Sequence, residues 1–307
     1  MRYRRLGDSE LVVSVVGLGS NNFGWRVDLE HTRRVVDAAL DAGVTLIDTA
    51  DSYGGGDSER FLGEVLEGNR DRVVLATKFG GGEMRSRGGG SRAHVLQAAD
   101  RSLERLRTDW IDLYQYHFPD ETTPLEETLG ALDELVRAGK VRHIGSSNFT
   151  AALVERADEI ARRNGGARFV SAQNHYSLLE RDVERELVPA CERLGLGVIP
   201  YFPLASGLLT GKYRRGEEAP EGARLAGRPE RLTDEVFDRL EALERFGQER
   251  GRSLLEVAIG GLTARPAVGS VIAGATTPEQ VRANVAAGDW EPSAEDLSAL
   301  DEVLATT

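Results

Sequence analysis

Asp48, Lys78 and His117 each stand at the carboxyl end of a short apolar run, on three successive runs of the chain. Asp48-Thr49-Ala50 follows Ile47, Lys78 follows Thr77, and His117 follows Tyr116. Tyr53 comes shortly after Asp48. Later runs carry polar residues at the same place: Ser146-Ser147-Asn148 after Gly145, Gln173-Asn174 after Ala172, and Tyr201 after Pro200. If these runs are parallel strands of one barrel, all their carboxyl ends open on one face. A carboxylate, an ammonium, an imidazole and a phenol would then share a mouth, a set able to hold and move a proton. Singly, each has a plainer explanation. Asp48 could cap the next segment, Lys78 could be solvated, and His117 could be a satisfied core histidine. Their recurrence at one topological position argues for a site.

The elements that must position them read as an alternation. Continuous apolar runs, as in strands buried on both faces, cover residues 11–18, 44–47, 73–77, 110–116, 141–145, 169–172, 197–199 and 269–273. Amphipathic helical patterns cover residues 32–42, 59–66, 91–106, 125–138, 151–163, 181–194, 233–251, 254–264 and 278–287, with a last helix near 293–304. Eight strand-then-helix units predict an α/β protein with a single (β/α)8 TIM barrel. Residues 1–14 read as a hairpin around Gly7-Asp8-Ser9, ahead of the barrel. Residues 203–229 form a long polar loop after strand 7, of a length that is usually functional or disordered, and extra helices follow at the C-terminal end. No linker divides the chain, so residues 1–307 are expected to form one domain.

Bulk properties narrow the function. The 307 residues carry a formal net charge of −12 and are 40% hydrophobic. An acidic chain is a poor general ligand for nucleic acid, whose phosphates need a basic face. Cys191 is the one cysteine, so an intrachain disulfide and a multi-thiolate metal site are excluded. Arg2, Arg4 and Arg5 precede the apolar residues 11–18, but Ser14 and Gly17 interrupt that run, so a buried strand explains it better than a leader. No stretch approaches the ~20 apolar residues of a membrane span. A cytoplasmic protein with no membrane or nucleic-acid partner is expected.

Asp48-Thr49-Ala50-Asp51-Ser52-Tyr53-Gly54, Ala76-Thr77-Lys78-Phe79, Asp112-Leu113-Tyr114-Gln115-Tyr116-His117-Phe118-Pro119-Asp120 and Gly139-Lys140-Val141-Arg142-His143-Ile144-Gly145-Ser146-Ser147-Asn148-Phe149 together resemble the signature segments of the aldo-keto reductases. Tyr201-Phe202-Pro203-Leu204-Ala205-Ser206-Gly207-Leu208-Leu209-Thr210-Gly211-Lys212-Tyr213 continues the match, which runs in the family's order over residues 3–304. The branch resembles bacterial reductases related to potassium-channel β subunits. The resemblance implies hydride transfer between NADP(H) and a small carbonyl or alcohol, with no metal and a tetrad of Asp48, Tyr53, Lys78 and His117. Tyr53 would donate the proton in reduction. Lys78 would lower its pKa, Asp48 would hold Lys78, and His117 would orient the carbonyl.

The resemblance also implies a cofactor site. Ser20 and Asn21 belong to it from the first strand end. Ser147, Asn148 and Gln173 would hold the nicotinamide amide, and Tyr201 would stack on its ring. Phe202, Pro203, Leu204, Ala205, Ser206, Gly207 and Leu208 would follow the pyrophosphate, with Lys212 and Arg224 gripping phosphates. Gly274, Thr276, Gln280 and Asn284 would take the adenosine end, at a helix start suited to an anion. Many family members have arginine where Gln280 stands and an acidic residue where Ala283 stands. This chain departs at both, although the channel-β branch also lacks the arginine. Phe23, Trp25, Phe79, Met84 and Phe118 are candidate substrate-pocket residues, and their apolar character favours aromatic or aliphatic aldehydes and ketones.

Two apparent phosphate motifs fail. Gly17-Leu18-Gly19 is followed by Asn22 where a dinucleotide fingerprint needs glycine. Residues 207–212 are one short of a P-loop, and Tyr213 replaces its Ser/Thr. Two other functions fit the same barrel: an NAD-dependent sugar dehydrogenase, and an NADPH-sensing regulatory subunit.

Overall fold

The computed structural model describes residues 1–85 and 87–306. Strands β1 (Tyr3–Arg5) and β2 (Val12–Ser14) pair antiparallel as a hairpin. Eight further strands follow: β3 (Val16–Gly19), β4 (Leu46–Asp48), β5 (Val74–Phe79), β6 (Ile111–Tyr116), β7 (Val141–Ser147), β8 (Phe169–His175), β9 (Gly197–Tyr201) and β10 (Val271–Gly274). They form one parallel sheet in the order β10-β3-β4-β5-β6-β7-β8-β9. The seam between the first and last of these is bridged where Val198 N donates to Ala267 O at 2.7 Å and Gly269 N donates to Val198 O at 2.9 Å. The result is a nearly closed (β/α)8 barrel with the expected hairpin.

Helices α1 (Leu29–Asp41), α2 (Asp57–Val65), α3 (Arg92–Leu106), α4 (Leu125–Arg137), α5 (Ala151–Asn164) and α6 (Leu187–Leu194) alternate with the strands. After the long loop come α7 (Asp234–Gln248), α8 (Leu254–Thr263), α9 (Pro278–Ala287) and α10 (Ala294–Thr306). Their starts are chemically marked. Asp28, Thr150 and Thr233 accept first-turn backbone N–H groups, and Ser253 with Glu256 makes a capping box. None of the described helices is long and apolar enough to cross a membrane.

Two differences from the sequence reading bear on the site. The apolar run 11–18 is broken at Val15, so its first part joins the hairpin and its second begins the barrel. Strands β7 and β8 run beyond their apolar residues, through Ser147 and His175. Those polar residues remain in strand through backbone pairing, Ser147 in register with Gln173 and His175 with Tyr201.

The barrel has a closed end and an open end. Inside it, Leu46, Ala76, Leu113, Ile199 and Ile272 pack against Leu6, Leu11 and Val13 of the hairpin. The hairpin is seated by Asp8 N donating to Gly195 O at 2.8 Å. Gly7 adopts φ 59°, and a Cβ there would lie 2.3 Å from Gly195 O, so that approach requires glycine. The amino end of the barrel is thereby plugged. A larger apolar layer lies between sheet and helices and includes Phe79, stacked on Tyr116 at 5.0 Å between ring centroids.

Candidate active site

At the open end Lys78 is fully buried, and its ammonium makes three contacts. It donates to Asp48 Oδ2 at 2.6 Å, to Thr49 O at 2.8 Å and to the Tyr53 hydroxyl at 3.3 Å. The other carboxylate oxygen of Asp48 accepts from Gln115 Nε2 at 3.0 Å and Gln173 Nε2 at 2.8 Å. Four elements therefore hold one ion pair: β4 gives Asp48, β5 Lys78, β6 Gln115 and β8 Gln173. Tyr53 follows β4 on a turn whose Gly54 and Gly55 have positive φ, which swings the phenol back over the barrel mouth. Its ring lies 5.9 Å from that of His117, edge to face. The four residues expected from the sequence thus meet in space, and Gln115, to which the sequence reading gave no role, joins them.

The charges are set by burial. Lys78 is raised above its ordinary value: burial pulls it down, but Asp48 and Tyr53 outweigh that. His117 is driven down to about 3, by burial first and then by the charges of Lys78 and Arg85. It is therefore a neutral imidazole. Its Nδ1 packs against Gly81, where a Cβ would lie 2.5 Å away. Tyr53 departs from expectation. Lys78 does favour its phenolate, but burial is the larger effect and the phenol is raised above its ordinary value. Tyr53 is thus a protonated group beside an ammonium, suited to giving a proton to an oxygen that becomes negative.

Asp51 adds a strained neighbour. Its Oδ1 is buried with no hydrogen-bond partner among the described residues. The carboxyl is pushed up to about 7 by burial and then by the charge of Glu59. The unfolded chain releases this proton more readily than the folded one, so stability falls as pH rises from about 4 to about 7 and stays lowered above that. Asp51→Asn is expected to raise Tm at pH 8 and to raise it less at pH 5. Melting curves at both values check this, and equal shifts would contradict it.

A cavity of about 720 Å³ runs from the tetrad toward α9. Asp48, Tyr53 and His117 line one end of it, with Ser20, Asn21 and Asn22 from the first loop. Ser147, Asn148 and Gln173 line its floor. Asn148 Nδ2 donates to His117 O at 2.9 Å, and Asn148 Oδ1 accepts from the Tyr201 hydroxyl at 2.8 Å. Tyr201 stacks on His175, ring centroids 5.5 Å apart and nearly parallel. Phe202, Pro203, Leu204, Ser206 and Gly207 continue the lining. Gly274, Thr276, Gln280 and Asn284 close the far end. Gln280 Oε1 accepts from Thr276 N at 2.8 Å. Ala205 and Leu208 do not line the cavity, and Leu208 packs in the core instead. Arg282 pairs with Glu279, away from the cavity.

Two features of this lining fit a polyanion. Asn148, Phe202, Ala205 and Ser206 all adopt positive φ without being glycine, and such strain gathers at functional sites. Arg26, Lys212 and Arg224 line the cavity, and among the described residues none has a carboxylate partner within ion-pair distance. That is unusual in a chain with 50 acidic residues. Arg26 donates instead to Gly222 O at 2.8 Å, tying the first loop to the long loop. Lys212 and Arg224 are both held below their ordinary pKa, by burial and then by the charge of Arg26. Clustered cations without counter-ions suit bound phosphate. Arg26 carried no sequence signal, because its partner lies nearly two hundred positions away.

The substrate-pocket residues fare differently. Phe118 lines the cavity. Phe23 and Phe79 are fully buried in the core, Trp25 is 61% exposed with its indole donating to Asn21 O, and Met84 lies off the cavity. Side chains alternate along a strand. With Lys78 pointing into the barrel, Phe79 must point out of it. The mouth also holds Ser52, Asn21 and Asn22, so it is more polar than expected.

A sequence model described as the Aldo/keto reductase family matches residues 15–305. An uncharacterised oxidoreductase of Bacillus subtilis (strain 168), YrpG, is 37% identical, with 99% of this chain and 96% of the relative covered. A probable voltage-gated potassium channel subunit beta of Oryza sativa subsp. japonica is 35% identical over 95% of this chain and 92% of its own. L-glyceraldehyde 3-phosphate reductase of Escherichia coli (strain K12) is 34% identical over 99% and 93%.

Proposed function

Because the chain belongs to the aldo/keto reductase family, a family of oxidoreductases that work with nicotinamide cofactors, we propose that it is an NADP(H)-dependent enzyme reducing aldehydes or ketones to alcohols. The observation that carries this reading is the buried Asp48–Lys78–Tyr53 chain opening into the cavity beside a neutral His117. A nicotinamide held there supplies the hydride. Tyr53 gives its hydroxyl proton to the carbonyl oxygen as negative charge builds on it, and Lys78 then stabilises the phenolate. Asp48, anchored by Gln115 and Gln173, keeps the ammonium in place. His117 donates one N–H to the same oxygen and orients the carbonyl. The fold around them excludes water from the ammonium, which strengthens its effect on the phenol.

Arg26, Lys212 and Arg224 support a cofactor bearing several phosphates, and the Thr276–Gln280–Asn284 end supports an adenosine. NADPH is expected to bind more tightly than NADH, measured by quenching of tryptophan fluorescence. Equal or reversed affinities would favour an NAD-dependent sugar dehydrogenase on the same barrel. Arg26→Ala is expected to weaken NADPH binding about tenfold, the usual worth of one hydrogen bond to a charged group. The loss should appear in the release rate, since Arg26 also fastens the long loop at Gly222. Stopped-flow fluorescence measures that rate, and an unchanged rate contradicts the fastening role.

A further inference from the structure

The loop between β5 and α3 places a cation over Phe118, a residue that lines the catalytic end of the cavity. Its base is tightly seated. A Cβ at Gly90 would lie 2.3 Å from the Tyr116 hydroxyl, and one at Gly89 would lie 2.7 Å from Met84 O. Gly81, on the same loop, touches the His117 ring. Further along, the Arg85 guanidinium lies 4.1 Å over the ring of Phe118. Phe118 in turn stacks on His117, with ring centroids 4.5 Å apart and planes 21° from parallel. Imidazole, phenyl and guanidinium therefore form one continuous stack leading outward from the carbonyl position. His117 and Phe118 both line the cavity.

Arg85 is exposed, and among the described residues it forms no ion pair. Glu83 is close in sequence and also exposed, yet the two do not meet within salt-bridge distance. Among the described residues the Arg85 guanidinium makes no hydrogen bond, while its backbone N–H closes the short turn Gly82–Met84 by donating to Gly82 O. Its charge reaches the site, where it adds to burial and Lys78 in disfavouring protonation of His117. Held over the Phe118 ring and without an ion-pair partner among the described residues, the guanidinium is available to the two oxygens of a carboxylate or phosphate. This cation is distinct from Arg26, Lys212 and Arg224, which are charged with the cofactor's phosphates in the reading above.

We propose that Arg85 is the specificity residue of this site, taking the anionic end of a carbonyl substrate whose reacting oxygen lies between Tyr53 and His117. This rests on the reductase reading. The substrate class is then an aldehyde or ketone with a carboxylate or phosphate a short linker away from the carbonyl. That narrows the aromatic or aliphatic aldehydes and ketones expected from the sequence to those that carry an anionic group.

Steady-state kinetics with matched substrates test the proposal. One pair is 4-carboxybenzaldehyde and its methyl ester. The other is glyceraldehyde 3-phosphate and glyceraldehyde. Wild type is expected to prefer the charged member by about tenfold or more in kcat/KM, the worth of one charge-assisted hydrogen bond. In Arg85→Ala the charged-to-neutral ratio should fall by about the same factor, through KM rather than kcat. Arg85→Lys should recover part of it, and Arg85→Glu should invert the preference. The pair with the larger ratio tells carboxylate from phosphate. Two results overturn the proposal while leaving the reductase reading intact: no charge preference in wild type, or equal losses on both members in Arg85→Ala. If wild type reduces no carbonyl at all, the reductase reading falls first and this one with it.

Discussion

Tyr53→Phe is expected to lower kcat by about 10²- to 10⁴-fold, the usual worth of a positioned general acid, while cofactor affinity stays nearly unchanged. The substitution keeps the ring and its edge-to-face contact with His117, so the mouth should keep its shape. What it removes is the hydroxyl that stands 3.3 Å from the Lys78 ammonium. A group needed only as charge builds on the substrate oxygen contributes to kcat and little to ground-state binding. Because burial holds the phenol above its ordinary value, Tyr53 is protonated throughout the neutral range, and reduction should run without a falling limb there. Kinetics on a good aldehyde, with a cofactor titration alongside, separate the two quantities. A variant that keeps most of its turnover would mean that another group gives the proton.

Lys78→Met should lower turnover as severely, and it should also destabilise the protein. Lys78 and Asp48 form a buried pair at 2.6 Å. Removing the ammonium leaves the carboxylate buried with Gln115 and Gln173 as its remaining donors. Breaking such a pair from one side costs about 3–5 kcal/mol. Adding Asp48→Asn removes the stranded charge, so the double variant is expected to recover much of the stability and none of the activity. Denaturant unfolding and kinetics on both variants check this. If the double variant regained turnover, the ammonium would be structural and not the partner of Tyr53.

The barrel was legible because strands buried on both faces read as unbroken apolar runs, and eight of them alternate with helical patterns. Their ends were less legible. Gln173 and Ser147 look like stops, but they continue as strand: the two are register partners across β7 and β8, Gln173 donates to Asp48 and Gln115, and Ser147 accepts from Asn148. Position alone marked Asp48, Lys78 and His117, at equivalent strand ends; Tyr53 lies off them, and the family resemblance made the four a tetrad. The substrate pocket could not be read from residue type. Phe79 is aromatic and adjacent to Lys78, yet strand alternation sends it to the helix layer, a rule the sequence did contain. Arg26 and Gly222 meet only because two loops cross above the barrel, and no local pattern encodes that crossing. The left-handed backbone at Phe202, Ala205 and Ser206 is likewise hidden, because none of these is the glycine that would announce it.

The most direct test of the account follows the hydride itself. NADPH deuterated at the transferring carbon is mixed with wild-type protein and an aldehyde, and the alcohol is analysed by mass spectrometry. In wild type the label is expected on the former carbonyl carbon, and Tyr53→Phe with the same bound cofactor is expected to make this product far more slowly. Consumption of the labelled cofactor with no deuterium in the alcohol, or equal rates from the two proteins, would contradict it.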